Sequence, residues 1–354
     1  MRSFLIYLFL LVPFFSNGQQ KNLDSIFKNA KVTGVQLLYS DNGKQQAFNY
    51  GKQKAGEKAL INSASIFQAA SLSKVVLAYI SLKLYDRHIL SLDTPLYHYY
   101  TYERIKNDTA AQKITARMVL HHLSGLPNWA GNPLSKTWIN SALKTKSTPG
   151  SNWGYSGEGF MFLQFTIQNL LKQSLQQIAQ QEVFAPLQMR SSSFIWQPGF
   201  EKNAVYGHDK EEQVTGRAEF FLPAGAYSLL TTATDYTKFL QAVMNGTGLS
   251  ATTYQMMLND TVSVKPANRS VSNAADHIFW GLGIGIQQNE LGKAIWHWGD
   301  NDDFKCFFMA FPGKKQSLVY FTNSENGLKV TTQLLEHFFG KQNWWAIKWL
   351  DTDF

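Results

Sequence analysis

The 354-residue sequence contains a single cysteine, Cys306. An intramolecular disulfide is therefore excluded, and the fold must rest on a hydrophobic core, which a chain of this length can bury. Charged residues are few, at 16%, and although the net charge is +8, Lys and Arg nowhere form a run of five or more. Nucleic-acid binding usually shows as a clustered basic stripe, so no nucleic-acid partner is expected.

Long apolar stretches are lacking beyond the N-terminus, where residues 4–15 form an apolar run of twelve. This run is too short to cross a hydrocarbon layer of about 30 Å as a helix. Arg2 precedes it and small residues follow it, which is the pattern of a cleaved secretory signal. We expect residues 1–18 to be a signal peptide, and the remaining chain to be periplasmic or secreted, without a membrane span. The loss of Arg2 would lower the net charge from +8 to +7.

Metal-binding motifs are lacking too. His121 and His122 stand side by side, but adjacent residues on a helix point in different directions, and no H-E-x-x-H pattern occurs. We therefore expect the two histidines to pack in the structure, and we expect neither a metal site nor a cofactor.

The order of strand-like and helix-like segments predicts an α+β fold. Strands and helices do not alternate regularly, so a doubly wound parallel sheet is disfavoured. We expect an antiparallel β-sheet flanked by helices, plus a mostly helical lobe, with "DNG" at 41–43 as the turn of a hairpin. The strand-like runs cover 34–40, 44–51, 279–287, 293–299, 304–311 and 316–322, and the helix-like segments cover 72–86, 116–127, 157–185 (two helices), 231–248 and 330–340.

The same pattern predicts how the chain after residue 18 is divided. We expect a sheet lobe made of residues 19–66 and 200–340, and a helical lobe made of residues 67–199. Residues 341–354 form an aromatic C-terminal tail. The tail is expected to pack on the body of the protein, with a surface for a partner as the alternative.

A serine that acts as a nucleophile needs a base beside its hydroxyl, and "SLSK" offers two serines next to Lys74. Residues i and i+3 of a helix share a face, so Ser71 and Lys74 face each other, whereas Ser73 and Lys74 point apart. The S-x-x-K pattern also occurs at 25–28 and 141–144, but only here does it open a strongly apolar helix that can bury the lysine and lower its pKa. A helix start with a solvated lysine is the alternative.

A second candidate nucleophile is Ser156 in "GYSGEG" (154–159), which nearly matches the G-x-S-x-G elbow of α/β-hydrolases. Glu158 occupies the position of the last glycine, and no parallel-sheet pattern supports that fold. We therefore disfavour Ser156.

Several motifs follow one another in an order that is more specific than any one of them. Over residues 30–325 the chain resembles the serine hydrolases related to class C β-lactamases and penicillin-binding proteins, a group that includes esterases and D-amino-acid peptidases. The resemblance implies a single domain over residues 19–354. The matching stretches are "FQAASLSK", "LDTPLYHYY", "ITARMVLHHLSGLP", "PGSNWGYSGEGF", "EVFAPLQM", "PAGAYSLLTTATDYTKFL" and "HWGDNDDFKCFFMAFPG".

The resemblance implies roles for residues at the matching positions. Ser71 would be the acylated nucleophile and Lys74 its partner in proton transfer. Tyr155 would pass the proton to the leaving group, and would act as a base only if positive neighbours favoured its phenolate. The third motif, "HWG", includes His297 and Gly299 and would edge the site. The oxyanion hole would be formed by the backbone N–H groups of Ser71 and Asp300.

Four residues depart from the family pattern. Gly157 stands where the Y-x-N motif has asparagine, and His297 stands where many β-lactamases have a lysine, so a fixed cation is replaced by a group near neutral at pH 7. Asp303 replaces a common glycine, and Cys306 replaces a serine or threonine. The departures at Gly157 and His297 favour an ester or amide hydrolase over an efficient β-lactamase.

We therefore expect an exported, monomeric serine hydrolase that acts through an acyl-enzyme on Ser71. Its partner would be a small-molecule or peptide acyl substrate, with cell-wall compounds among the expected substrates. A β-lactamase or D,D-carboxypeptidase is one alternative, and a non-catalytic wall-binding or sensor protein of the same fold is another.

Overall fold

The computed structural model describes residues 17–265 and 271–354. The predicted signal peptide lies almost wholly outside the described residues, so export stays a prediction. In the described part of the chain, none of the helices has the length and apolar character needed to cross a membrane.

The centre of the molecule is an eight-stranded sheet in which every neighbouring pair of strands is antiparallel. The strands of the described residues are β1 (Gly34–Asp41), β2 (Lys44–Gly51), β3 (Phe67–Gln68), β4 (Gly207–His208), β5 (Val214–Gly216), β6 (Leu230–Thr231), β7 (Val262–Ser263), β8 (Ile278–Trp280), β9 (Gly285–Asn289), β10 (Gly292–Asn301), β11 (Phe304–Phe311) and β12 (Gln316–Thr322). Eight of them form this sheet in the order β2-β1-β12-β11-β10-β9-β8-β7, so the first and the last strand of the chain are neighbours. The other four pair separately, β3 with β6 and β4 with β5. The eight-stranded sheet confirms the predicted antiparallel sheet.

Helices cover both faces of the sheet, and this is why the central strands are apolar on both sides. On β11, Phe307 and Met309 pack into one hydrophobic cluster, whereas Phe308 packs into the other. The alternation follows from the two-residue period of a strand. The helices are α1 (Asn17–Asn29), α2 (Ser73–Asp86), α3 (Leu96–Tyr99), α4 (Ala116–Leu120), α5 (Gly157–Leu171), α6 (Leu175–Ala179), α7 (Ala233–Asn245), α8 (Ala251–Asn259), α9 (Thr331–Phe339) and α10 (Trp345–Thr352).

The two hydrophobic clusters contain residues from different sets of helices. One cluster joins the sheet to α2, α5 and α7, and it contains the start of the helix that carries Lys74. The other joins the opposite face of the sheet to α1, α9 and α10. The nucleophile candidate is therefore held between the sheet and the helical part of the chain, in the larger of the two cores.

The hairpin predicted from the sequence is present, whereas two other segments differ from expectation. Asn42 and Gly43 both have positive φ, and Asp41 pairs with Lys44, as the predicted hairpin requires. The expected single strand over 279–287 is instead two strands, because the backbone turns between β8 and β9, where Gly283 has a φ of +83°. Residues 91–100 lie outside the segments expected to be strands or helices, yet they contain the short helix α3.

Candidate active site

Ser71 lies on a 3-10 turn, Ala70–Leu72, that leads directly into α2. The turn begins with Ala70 at a φ of +43°, a backbone conformation that residues other than glycine seldom adopt. Such local strain persists only where the surrounding packing enforces it, and it is common at active sites. The turn places Ser71 just before α2, where its side chain is partly exposed. Lys74 lies one turn further on and is buried.

Lys74 points back at Ser71. Its Nζ lies 3.0 Å from the Ser71 Oγ and donates to the carbonyl oxygen of Ala226 at 2.8 Å. The side chain is only 1% exposed, and burial lowers the pKa of Lys74 to about 7. With this pKa a substantial fraction of the lysine is neutral near pH 7 and can accept a proton, as a base beside a nucleophilic serine must.

Ser73 points elsewhere, as the helical geometry predicts. It is fully buried, and its Oγ accepts a hydrogen bond from the backbone N–H of Leu229 at 3.0 Å. Ser73 therefore fastens α2 to the segment before β6 and takes no part in the pair formed by Ser71 and Lys74.

Tyr155 lies beside the same pair, just before α5. The Lys74 Nζ is 4.9 Å from the centre of the Tyr155 ring. The phenolic oxygen is buried and makes no hydrogen bond of good geometry within the described residues, although the Ser71 hydroxyl is near enough to influence its pKa. The structure thus brings Ser71, Lys74 and Tyr155 together.

The sequence allowed Tyr155 to act as a base only if positive neighbours favoured its phenolate, and the structure does not meet this condition. Burial raises the pKa of Tyr155 well above its ordinary value, and the nearby Ser71 hydroxyl offsets only part of this. Lys74 is itself partly neutral near pH 7, and its remaining charge does not offset the effect of burial on Tyr155. Tyr155 is therefore a neutral phenol, and Lys74 is the better candidate base.

Ser156, the other candidate nucleophile, has a structural role. It is the N-cap of α5, where its Oγ accepts from the N–H of Gly159 at 3.0 Å and donates to the carbonyl oxygen of Pro127 at 2.9 Å. Its own N–H donates to Nδ1 of His122 at 3.1 Å. These bonds fix the start of α5 and, through it, the position of Tyr155.

His122 was considered in the sequence only as half of a histidine pair, and the structure gives it a different place. It is fully buried, and its ring centre lies 4.4 Å from that of Tyr155. His121 turns away, with Nδ1 3.2 Å from the carbonyl oxygen of Trp280. In the part of the chain that the structure describes, no group of three or more potential ligands could hold a metal ion.

The strand β10 forms the other side of the site. Its first half pairs with both β9 and β11, but from His297 to Asn301 the strand pairs only with β11 among the described strands. Gly299 packs against the residues before the nucleophile. A Cβ added to Gly299 would lie 2.3 Å from the Sγ of Cys306 and 2.8 Å from the carbonyl oxygen of Ala69. Only glycine lets the strand approach Ser71 so closely.

His297 is buried and neutral. Its Nδ1 is 2.7 Å from the carbonyl oxygen of Trp298, to which it donates, while its Nε2 has no partner among the described residues. Burial, together with the charge on Lys74, lowers the pKa of His297 to about 3. The sequence placed this group near neutral at pH 7, and the structure makes it uncharged throughout the physiological range.

Asp300 is the next charged residue along β10, and its carboxylate pairs with Lys305 on β11. Cys306 is fully buried and its Sγ donates to the carbonyl oxygen of Ala69 at 3.1 Å, with a pKa raised well above the ordinary value by burial. Cys306 is therefore a buried strand thiol and not a reactive one.

Gly157 leaves room for an aromatic ring. A Cβ at this position would lie 2.5 Å from the indole of Trp129, so no larger side chain fits unless Trp129 moves. The loop that carries Trp129 is held to α5 by Asn128, whose side-chain oxygen accepts from the N–H of Gly157 at 3.0 Å. The buried ion pair between Arg104 and Glu158 supports the same loop, since Glu158 also accepts from the N–H of Ala130.

A cleft of about 820 Å³ opens in front of Ser71 and Tyr155. One wall comes from Trp129 and Tyr227, whose ring centres are 5.7 Å apart. The C-terminal tail forms part of another wall, because Phe354 lies 5.5 Å from the ring centre of Tyr155. The sequence predicted that the tail packs on the body, but neither its helix α10 nor its place at the cleft.

Gly299→Ala is expected to lower the kcat/KM for ester hydrolysis by about 10²–10³-fold, the loss seen when one oxyanion donor is misplaced. The added methyl group overlaps the Ala69 backbone and the Cys306 side chain, so it must push β10 away from Ser71. Gly313→Ala makes the same change where a Cβ meets no atom within 4 Å, and it should leave the rate unchanged. Equal rates for the two variants would disprove the role of this close approach.

Comparison with known proteins adds to this geometry. The family model described as Beta-lactamase matches residues 20–336. Protein flp of Staphylococcus aureus (strain MW2) is 22% identical over 346 residues, which cover 91% of this chain and 66% of that protein. The D-alanyl-D-alanine-carboxypeptidase/endopeptidase AmpH of Escherichia coli (strain K12) is 25% identical over 199 residues, covering 52% of this chain and 51% of that protein. The chain thus spans about two thirds of the length of flp.

Solved structures show the same fold. A class C beta-lactamase superposes with a TM-score of 0.75 at 18% identity, covering 92% of this chain and 97% of that one. The octameric penicillin-binding protein homologue from Pyrococcus abyssi superposes with a TM-score of 0.73 at 19% identity, covering 90% and 76%. These similarities confirm the α+β fold expected from the sequence.

Proposed function

Because the chain belongs to the beta-lactamase family, we propose that it is a serine hydrolase that cleaves an ester or amide bond through an acyl-enzyme on Ser71. The observation that carries the proposal is the contact of 3.0 Å between the Lys74 Nζ and the Ser71 Oγ, with the pKa of Lys74 lowered to about 7 by burial. A serine with a partly neutral amine beside it has the base that nucleophilic attack requires.

The proposed reaction has two halves. Lys74 takes the proton of Ser71 as its Oγ attacks the substrate carbonyl, and the N–H groups of Ser71 and Asp300 bind the oxyanion. The acyl–oxygen or acyl–nitrogen bond then breaks, and the leaving group receives the proton by way of the Tyr155 hydroxyl. Water next attacks the acyl group, with Lys74 and Tyr155 carrying its proton, and this releases the acid and restores Ser71.

The site favours ester or amide hydrolysis over β-lactam hydrolysis. A β-lactam carries a carboxylate, and His297, the residue at the position of the family lysine, is neutral because its pKa is lowered to about 3. The missing amide side chain at Gly157 is replaced by the apolar ring of Trp129. Both features remove polar partners that a β-lactam or a D,D-peptide would use.

The proposal is tested by comparing hydrolysis of short p-nitrophenyl esters with hydrolysis of nitrocefin. We expect ester turnover with little nitrocefin turnover. Rapid nitrocefin turnover would favour a β-lactamase instead, and release of D-alanine from a D-Ala-D-Ala peptide would favour the carboxypeptidase that the name of AmpH suggests. Absence of all turnover and of fluorophosphonate labelling would favour the non-catalytic alternative.

Export, a monomeric state and a cell-wall-derived substrate are part of the same proposal. The N-terminal signal pattern supports export, and N-terminal sequencing of the protein recovered outside the cytoplasm should then begin at Gln19. Recovery of the chain in the cytoplasm with Met1 in place would contradict it.

A further inference from the structure

The active-site cleft has a charge opposite to that of the whole chain. The sequence carries a net charge of +8, yet among the described residues four of the five charged ones around the cleft are aspartates. The only basic residue among them is Arg217. The aspartates are Asp300, Asp302, Asp303 and Asp351.

Arg217 is not available to an anionic ligand. Its guanidinium pairs with Glu201 at 2.9 Å and with Glu219 at 2.8 Å. It also lies over the rings of Trp196 and Tyr206, 4.6 and 5.0 Å from their centres. With two carboxylates on one guanidinium, this group adds negative charge to the rim.

In the part of the chain that the structure describes, three of the four aspartates form no ion pair with a lysine or arginine. Asp300 pairs with Lys305, whereas Asp303 accepts the hydroxyl of Thr215. Within residues 17–265 and 271–354, neither Asp302 nor Asp351 forms an ion pair. Asp302 and Asp351 are also exposed, Asp302 at the turn between β10 and β11 and Asp351 near the end of α10.

Aromatic rings supply the rest of the cleft wall. Trp129 and Tyr227 meet edge to face, and Tyr227 meets Phe220 in the same way at 5.7 Å. Trp298 and Phe354 meet at 4.7 Å on the side of the tail. Aromatic faces attract cations through the ring quadrupole, so the rings and the carboxylates favour the same sign of ligand charge.

We propose that the cleft selects acyl substrates that carry a positive charge, such as esters or amides with a free ammonium group, over those that carry a carboxylate. This inference rests on the proposed serine hydrolase function and names its substrate class. A cleft lined by one sign of charge raises the local concentration of the opposite ion and its association rate by about 10–10³-fold at low salt. The preference should weaken as salt screens the charges.

The test uses three p-nitrophenyl esters of similar length: 6-aminohexanoate, heptanoate and the monoester of adipate. At low salt we expect kcat/KM to fall in that order, with at least about a tenfold ratio between the ammonium and the carboxylate ester. The ratio should shrink at 0.5 M NaCl. Equal rates, or faster hydrolysis of the carboxylate ester, would overturn the inference while leaving the proposed function intact.

Variants show whether the cleft aspartates cause the preference. Asp302→Asn with Asp351→Asn should reduce the ammonium-to-carboxylate ratio severalfold, and asparagine tolerates the φ of +57° at residue 302. The control, Asp24→Asn with Glu336→Gln, removes two charges from α1 and α9, outside the cleft lining, and should leave the ratio as it is. An unchanged ratio in the first variant would overturn the inference.

A binding measurement separates this inference from the proposed function. Calorimetry on the Ser71→Ala variant compares 6-aminohexanamide with adipic acid monoamide. Tighter binding of the ammonium compound supports the charge preference even if the wild-type protein hydrolyses no ester. Absence of ester hydrolysis would count against the proposed hydrolase function and not against the charge preference. Tighter binding of the carboxylate compound overturns the preference.

Discussion

Ser71→Ala is expected to lower the kcat for ester hydrolysis by at least about 10³-fold and to abolish labelling by a fluorophosphonate. The reason is that Ser71 is the serine whose hydroxyl touches the buried Lys74 amine, at 3.0 Å, beside the Tyr155 ring. Initial rates with a p-nitrophenyl ester and gel-based labelling measure the two effects. The variant should stay folded, because Ser71 is partly exposed and Lys74 retains its bond to Ala226.

Ser73→Ala is the matched control, since it removes the same hydroxyl two residues away. We expect labelling to persist, together with a loss of stability of about 1–3 kcal/mol, because the buried N–H of Leu229 loses its acceptor. Urea denaturation measures the stability. Labelling that survives in Ser71→Ala but is lost in Ser73→Ala would reverse the assignment of the nucleophile.

Lys74→Met is expected to lower kcat by about 10²–10⁴-fold, the usual contribution of a general base. Methionine keeps the length and apolar stem of lysine but cannot accept the proton of Ser71. Stability should not fall in parallel, because a fully buried amine costs folding free energy that methionine does not. A variant that keeps its rate would exclude Lys74 as the base.

The same lysine predicts the pH dependence of the wild type. The neutral amine is the active form, and burial lowers the pKa of Lys74 to about 7, so kcat/KM should rise as pH increases through about 7 and then level off. The folded pKa lies below the unfolded value of 10.5, so unfolding binds protons between these values and stability should rise with pH over that window. A rate independent of pH between 6 and 8 would contradict this.

The placement of Ser71 and Lys74 at the start of α2 could be predicted from the sequence because it depends on local helix geometry. The spacing of three residues between Ser71 and Lys74 fixes their shared face, and the apolar run after them fixes the burial of Lys74. The same reasoning separated Ser73 from the pair, and its bond to Leu229 bears this out. The roles of Ser71 and Lys74 in catalysis stay predictions.

The rest of the cleft depends on contacts that are distant in the sequence. Trp129 reaches the space above Gly157 only because a loop is held to α5 by buried hydrogen bonds. Phe354 reaches Tyr155 from the far end of the chain. Neither contact has a local pattern from which to predict it, and both bear on which substrates fit.

Protonation states in the site also could not be predicted from the sequence. The sequence placed His297 near neutral at pH 7 and left the state of Tyr155 dependent on its neighbours. Full burial lowers the pKa of His297 to about 3, and raises that of Tyr155 above its ordinary value. Burial is a property of the tertiary fold, so these shifts could not be read from residue types alone.

Mass spectrometry of the wild-type protein after reaction with a fluorophosphonate tests the central claim most directly. The account predicts one adduct, at Ser71, in the peptide that contains "AASLSK". It also predicts that labelling at pH 8 is faster than at pH 6, since Lys74 loses its proton across this range. An adduct at Ser73 or Ser156, or an intact protein without any adduct, would contradict the account.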